Sequence, residues 1–169
     1  MMDTILNLGL NDSSVEGLAK KTGNRRFAMD AYRRFITMYG STGMGIPRET
    51  FDEAFDEIKE AHTRKRLGVP VGTKINDTDV DEKELALLVA KYKEIYKKAI
   101  GADFPQDPVV QLWGAVDAVF GSWMADKAVT YRRVENIKGI VGTAVNVQAM
   151  VFGNMGEKSG TGVCFTRDP

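Results

Sequence analysis

The chain has 169 residues, enough for one domain or two small subdomains with a buried core. Its 23 basic and 23 acidic residues cancel, so the sequence lacks the basic excess that is typical of nucleic-acid-binding proteins. The single cysteine, Cys164, excludes an internal disulfide, and no apolar run approaches the ~18 residues that a membrane span needs.

Apolar residues recur at helical spacing over most of the chain after a short N-terminal stretch, which is ambiguous between a strand and an irregular segment. Ser13–Glu16 has the pattern of a capping box, and Gly23, Gly68 and Gly101 are typical helix ends. Pro47 suits the first turn of a helix. The predicted helices lie at about 13–21, 24–39, 47–67, 81–100, 108–123 and 126–133, with a linker at 69–78.

Arginines flank the predicted helices. They lie at positions 25, 26, 33, 34, 132 and 133. They are either solvated helix flanks with acidic neighbours or a docking surface for a partner domain, and the sequence leaves both interpretations open.

The last part of the chain changes from a period of 3.6 to a period of two. The stretch 143–153 alternates as a half-buried strand would, a glycine-rich turn follows at 153–162, and a second apolar stretch runs from 162 to 166. This pattern predicts a β-hairpin. The turn lacks the Walker pattern of a phosphate-binding loop, so it is interpreted as a hairpin turn.

Several strings, in order along the chain, resemble one known family. They are MMDTILNLGLND (1–12), RFAMDAYRRF (26–35), VNVQAMVFGN (145–154) and GEKSGTGVCFTRDP (156–169). Together they make nearly the whole chain similar to the nucleotide-binding domain of the pyruvate, phosphate dikinase family. The phosphoenolpyruvate synthases are similar at the FTRDP end, but LNLGLND and the long helical region are not expected there.

The resemblance implies a fold and an activity. The family uses an ATP-grasp nucleotide domain, so we expect an α+β chain with a mostly helical subdomain over residues 1–133. Residues 134–169 would then form a β-hairpin, the first strands of an incomplete ATP-grasp β subdomain. The intact enzyme would convert ATP, phosphate and pyruvate to AMP, pyrophosphate and phosphoenolpyruvate, through a carrier histidine and with Mg²⁺.

The resemblance also implies the residues that contact ATP. Gln148, Met150 and Val151 are expected around the adenine, and the Thr4 hydroxyl is expected to donate to a phosphate oxygen. Without the resemblance, these residues would be interpreted as an ordinary strand and a cap. Arg167 and Asp168 are expected in the vicinity of the phosphates and the metal, with a salt bridge at a strand end as the simpler interpretation.

No catalytic residue and no metal ligand is assigned within the chain. His62 is the only histidine, lies on a predicted helix, and does not stand in the family's glycine-threonine-serine-histidine string of the phosphocarrier. The lysine, arginines and acidic pair that the family uses on the phosphates and Mg²⁺ are not among the 169 residues. We therefore expect a fragment that is inactive alone.

The resemblance implies ATP and the phosphohistidine carrier domain of the same enzyme as partners, and a homodimeric parent. It implies a cytoplasmic location, with the plastid or the glycosome as alternatives, and no contact with nucleic acid or membrane. A different class of function stays open, namely a non-catalytic helical interaction module that binds a partner through its arginine-flanked helices.

Overall fold

The computed structural model describes residues 4–164 and residue 166, and these residues form helices joined by irregular segments. The α-helices are α1 Ser14–Thr22, α2 Arg25–Met38, α3 Arg48–Ile58, α4 Arg64–Leu67, α5 Glu82–Ile100, α6 Pro108–Ser122 and α7 Asp126–Val134. A turn of π-helix, Tyr39–Gly43, extends α2, and a second, Lys59–Thr63, joins α3 to α4. Asp77–Asp79 is a short 3₁₀ helix.

The predicted α+β fold is wrong for the part of the chain that the structure describes. No strand or sheet occurs there, and the stretch 143–164 has no regular secondary structure. An isolated two-stranded hairpin is marginal in water, and an alternating strand needs a neighbouring strand or a core to cover its apolar face. The described residues supply no neighbouring strand, and Val151 and Val163 remain 87% and 84% exposed.

The predicted helix ends are confirmed, because Gly23, Gly68 and Gly101 follow α1, α4 and α5 in the left-handed conformation, with φ of 65°, 66° and 79°. Asp81 caps α5 by accepting from the amides of Lys83 and Glu84. Such local signals act within a few residues, which is why the sequence reveals them.

The start of α1 differs from the prediction. Ser13 makes no side-chain cap, and the Asn11 Oδ1 atom instead accepts from the amides of Ser13 and Ser14 at 2.9 and 2.7 Å. Glu16 does not reach back to the helix start, since its carboxylate pairs with Arg25 at 2.7 Å. An asparagine side chain can cap a helix as well as a serine can, and here the asparagine is the residue in position.

The core lies between α2 and α5, with α1 and α3 packed against them. Aromatic rings of α2, its π-turn, α5 and the segment after α5 meet in this core, with centroids 5.3 to 6.3 Å apart. They belong to Tyr32, Phe35, Tyr39, Tyr96 and Phe104. All of these pairs are edge to face except Tyr39 and Tyr96, which are tilted by 35°. No helix among the described residues is long and apolar enough to cross a membrane.

The predicted linker is held to the helices by arginine side chains. Arg26 donates to the Asp77 carbonyl at 2.6 Å, and Arg64 donates to the carbonyls of Pro70 and Thr73. Because these guanidinium groups satisfy backbone carbonyls of the largely irregular linker, they hold the linker backbone in one position against the helices.

The α2 arginines are likewise engaged within the chain. Arg33 pairs with the buried Asp30 at 2.7 Å, and Arg34 pairs with the same carboxylate at 2.9 Å. Burial opposes ionisation of Asp77, but Lys59 and Arg33 outweigh it and hold the pKa of Asp77 below its ordinary value. The arginines of α2 therefore bind the protein's own acidic and carbonyl groups.

Candidate functional site

The N-terminal segment of residues 4–10 carries Thr4, the predicted phosphate contact. Thr4 is exposed, and the segment has neither helix nor strand. Asn7 is buried in the left-handed conformation (φ 63°), and its Nδ2 donates to the Ala31 carbonyl of α2 at 3.3 Å. The Thr4 hydroxyl is thus presented to solvent from a segment that is fastened to α2.

Asn7 also leaves one acceptor unsatisfied. Its Oδ1 atom is buried and meets no hydrogen-bond donor among the described residues. A buried acceptor without a donor costs about 1–3 kcal/mol. Other contacts of the segment must therefore hold the Asn7 side chain in place.

The predicted adenine contacts lie in the irregular stretch near the C-terminus. Gln148 and Val151 are exposed, and Met150 is 43% exposed. The next residue, Phe152, packs edge to face on Phe27 of α2, with ring centroids 5.1 Å apart and an interplanar angle of 86°. The structure therefore anchors this stretch to the helical body directly beside the predicted contacts.

Both predicted segments are thus attached to the same helix. The Phe152 ring contacts Phe27, and the Asn7 amide contacts the carbonyl of Ala31, four residues further along α2. Four residues correspond to about 6 Å along a helix axis. Segments that are far apart in sequence, one carrying Thr4 and the other Gln148, are therefore fastened within about one helical turn of each other.

The glycine-rich turn closes on itself although no hairpin forms. A Cβ atom at Gly153 would overlap the side chain of Thr161 and come within 3.0 Å of the Gly160 carbonyl, so the two ends of the turn touch. Inside it, the Ser159 amide donates to the Gly156 carbonyl at 3.0 Å. The predicted turn is therefore present as a closed loop without strands on either side.

The remaining predicted positions, Arg167 and Asp168, lie outside the described residues. Within residues 4–164 and 166, no group of three or more histidine, cysteine, aspartate or glutamate side chains is placed to hold a metal ion. An ion held by protein side chains alone is therefore not expected among the described residues, whereas Mg²⁺ bound to a nucleotide usually needs only one or two carboxylates.

A groove of about 390 Å³ lies elsewhere, between α1, α2 and α5. Its floor is mainly apolar, and at its edge the Lys93 ammonium pairs with Asp12 and lies 5.3 Å from the centroid of the Tyr32 ring. Burial raises the pKa of Tyr32, so its hydroxyl stays protonated and donates to Asp12 at 3.1 Å. None of the predicted nucleotide contacts lines this groove.

Sequence reasoning missed Gln111, which holds the N-terminal segment from α6. The side chain is fully buried, and its Oε1 accepts from the Gly9 amide at 3.0 Å. A signal was present in the sequence, since Gln111 is a lone polar residue in the apolar run of 108–116. A polar residue on an otherwise apolar helix face indicates a buried hydrogen bond, but it does not identify the partner.

Comparison with known proteins identifies the family. The family model described as pyruvate phosphate dikinase, AMP/ATP-binding domain, matches residues 1–169, and the chain belongs to this family. The chain is 55% identical over 170 residues to the pyruvate, phosphate dikinase of Clostridium symbiosum and 52% identical over 169 residues to that of Rhizobium meliloti. It is also 52% identical over 169 residues to the chloroplastic pyruvate, phosphate dikinase 1 of Zea mays.

These alignments cover the whole of this chain but only 18%, 18% and 17% of the respective relatives. The chain therefore spans less than a fifth of the length of these relatives.

Proposed function

We propose that this chain contributes part of the ATP site of a pyruvate, phosphate dikinase. The intact enzyme would convert ATP, phosphate and pyruvate to AMP, pyrophosphate and phosphoenolpyruvate, passing a phosphoryl group through a histidine of a separate carrier domain. The family match over residues 1–169 carries this proposal. The attachment of the segments of Thr4 and Gln148 within about one turn of α2 supports it.

The roles of individual residues follow from their chemistry. The Gln148 amide can donate to and accept from the edge of an adenine, while the Met150 and Val151 side chains offer apolar surface to its faces. The Thr4 hydroxyl can donate to a phosphate oxygen. Each of these four side chains is exposed, as a ligand contact requires in the unbound chain.

We further propose that the chain binds ATP but does not turn it over. Phosphoryl transfer depends on cationic groups and metal ions that stabilise charge on the transferring group. No group of three or more potential metal ligands lies among the described residues, and the Asp168 carboxylate is proposed to lie near the metal. The intact enzyme would use Mg²⁺ with ATP, act as a homodimer, and reside in the cytoplasm, or in a plastid or glycosome.

A titration of the chain with Mg²⁺-ATP, followed by calorimetry and tryptophan fluorescence, tests the ATP site. We expect saturable binding that is lost in Gln148→Ala and in Val151→Asp. Val163→Asp is the matched control, because Val163 is equally exposed in the same C-terminal stretch and is not a proposed contact. Equal affinities in Val151→Asp and Val163→Asp would contradict the proposed adenine site, as would a folded chain that binds no ATP.

A non-catalytic interaction module is the second candidate, and one observation favours it. Large apolar side chains of α6 and α7 are exposed, including Trp113, Phe120 and Tyr131, as is Met124 in the turn between these helices. The arginines of α2 favour it less than the sequence suggested, since they bond within the chain. A module of this kind would bind a partner and show no response to ATP in the same titration.

A further inference from the structure

Gln111 bonds to the backbone of two separate segments. Besides accepting from the Gly9 amide, its Nε2 donates to the Leu10 carbonyl at 3.0 Å and to the Pro105 carbonyl at 2.7 Å. Both Nε2 hydrogens and the Oε1 atom are thus used, and the side chain is fully buried. One amide group thus binds the N–H of Gly9 and the carbonyl of Leu10, and these paired contacts fix both the position and the register of this backbone.

Residues 5–10, which connect Thr4 to the backbone that Gln111 binds, are anchored along their length. Leu10 is buried, its amide donates to the Asn7 carbonyl at 3.2 Å, and Asn7 in turn is bonded to α2. Ile5 packs against the core beside Gly43 of the π-turn. Thr4 immediately precedes this anchored stretch in the chain, and its side chain is exposed.

We propose that Gln111 is a positioning residue for nucleotide binding, which holds residues 4–10 so that the Thr4 hydroxyl is already in place when a phosphate oxygen arrives. This inference rests on the proposed ATP site. Gln111 does not contact the nucleotide. It acts by removing the cost of ordering the segment at the moment of binding, which would otherwise be subtracted from the affinity.

A structural role alone makes a different prediction. If Gln111 only attached α6 to the N-terminal segment, its loss would lower stability, and its effect on ATP affinity would be independent of Thr4. If Gln111 acts through Thr4, removing the Thr4 hydroxyl should matter little once Gln111 has been lost. A double-mutant cycle on the dissociation constant of Mg²⁺-ATP separates these two roles.

The cycle uses the full chain as wild type, Gln111→Met, Thr4→Ala and the double variant, each titrated with Mg²⁺-ATP by calorimetry. We expect each single variant to raise the dissociation constant of Mg²⁺-ATP about ten-fold over wild type, as for a lost hydrogen bond to a charged group. The double variant should also show a rise of only about ten-fold, rather than the product of the two single effects. Amide exchange of residues 5–10 should be faster in Gln111→Met. Methionine is chosen because it has a similar length and no hydrogen-bonding amide.

Gln106→Met is the matched control. The Gln106 side chain also holds backbone near the N-terminus, by accepting from the Asp12 amide at 2.9 Å, but it acts on the start of α1 rather than on residues 4–10. We expect its ATP affinity to stay within about two-fold of wild type and its effect to add to that of Thr4→Ala. If Gln111→Met does not fold, Gln111→Glu replaces it in the cycle, because glutamate keeps the shape and the acceptor for Gly9.

The outcomes are distinct. Losses that add in full between Gln111 and Thr4, or an unchanged affinity in a folded Gln111 variant, would overturn the positioning role while leaving the proposed ATP site intact. Absence of ATP binding in the folded wild-type chain would overturn both.

Discussion

Glu84 is a carboxylate that the fold buries at the start of α5 and surrounds with donors. Arg66 approaches its two oxygens at 3.0 and 3.1 Å, the Thr63 hydroxyl donates at 3.0 Å, and the Asp81 amide donates at 2.9 Å. Burial raises the pKa of Glu84, but these donors outweigh burial, led by Arg66, and the pKa lies below its ordinary value. The carboxylate therefore joins α4 to α5 as long as it is ionised.

We expect Glu84→Gln to lower the free energy of unfolding by about 2 kcal/mol at pH 7. Because the pKa of Glu84 is lower in the folded chain than in the unfolded chain, its contribution is complete above pH ~4.5 and disappears as the pH falls through the folded value. Urea unfolding at pH 7 and at low pH measures both effects. The exposed Glu53→Gln is the control and should change stability by less than about 0.5 kcal/mol. An equal loss in Glu84→Gln at both pH values would contradict the ionic role.

Helix α6 packs closely on the π-turn that extends α2. A Cβ atom at Gly114 would overlap the Tyr39 hydroxyl, and Tyr39 is buried among the aromatic rings of the core. Gly121 lies in the same helix and has no atom within 4 Å of the position that a Cβ would occupy. The two glycines therefore differ in packing while sharing one element.

The same substitution should have opposite effects at these positions. Gly114→Ala forces Tyr39 or α6 to move and is expected to cost about 1–3 kcal/mol. Gly121→Ala meets no neighbour and is expected to stabilise the chain by up to about 1 kcal/mol, because alanine favours helix more than glycine does. Thermal unfolding of both variants checks this. A stabilising Gly114→Ala would show that α6 does not approach Tyr39 this closely.

At the scale of the whole molecule, the outer faces of α6 and α7 carry a concentration of exposed apolar side chains. Trp113 is 62% exposed, and the other exposed apolar residues of these helices are Val109, Phe120, Tyr131 and Val134. Met124, in the turn between the two helices, is 71% exposed. Exposed large apolar side chains gathered on neighbouring elements favour association with other surfaces. The exposed apolar residues of these helices provide a physical reason for self-association of the chain.

We expect the chain to self-associate as its concentration rises. The double variant Val109→Ser/Trp113→Ser should associate only at higher concentration, and its melting temperature should not be lower than that of wild type. Light scattering and sedimentation over a range of concentrations measure it. Val71→Ser is the control, since Val71 is 90% exposed but lies in the segment between α4 and α5. A monodisperse wild-type chain throughout the range would contradict the prediction.

The sequence alone determined the helices and the family. Helical periodicity and the signals at Asp81, Gly23, Gly68 and Gly101 act between residues a few positions apart, so they can be recognised in one dimension. The expected boundary near residue 134 coincides with the end of α7 at Val134, while the division of the chain into two subdomains stays a prediction. Family membership rests on strings that can be compared directly, without coordinates.

Only the tertiary structure decided the rest, because the rest depends on residues far apart in sequence. The alternation of 143–153 predicts a strand, but a strand forms only beside a partner, and none lies among the described residues. The contact of Phe152 with Phe27, and the bonds from Gln111 to Gly9 and Leu10, join positions about a hundred residues or more apart. No local pattern specifies such pairs, and these pairs fasten the predicted ATP contacts to the helical body.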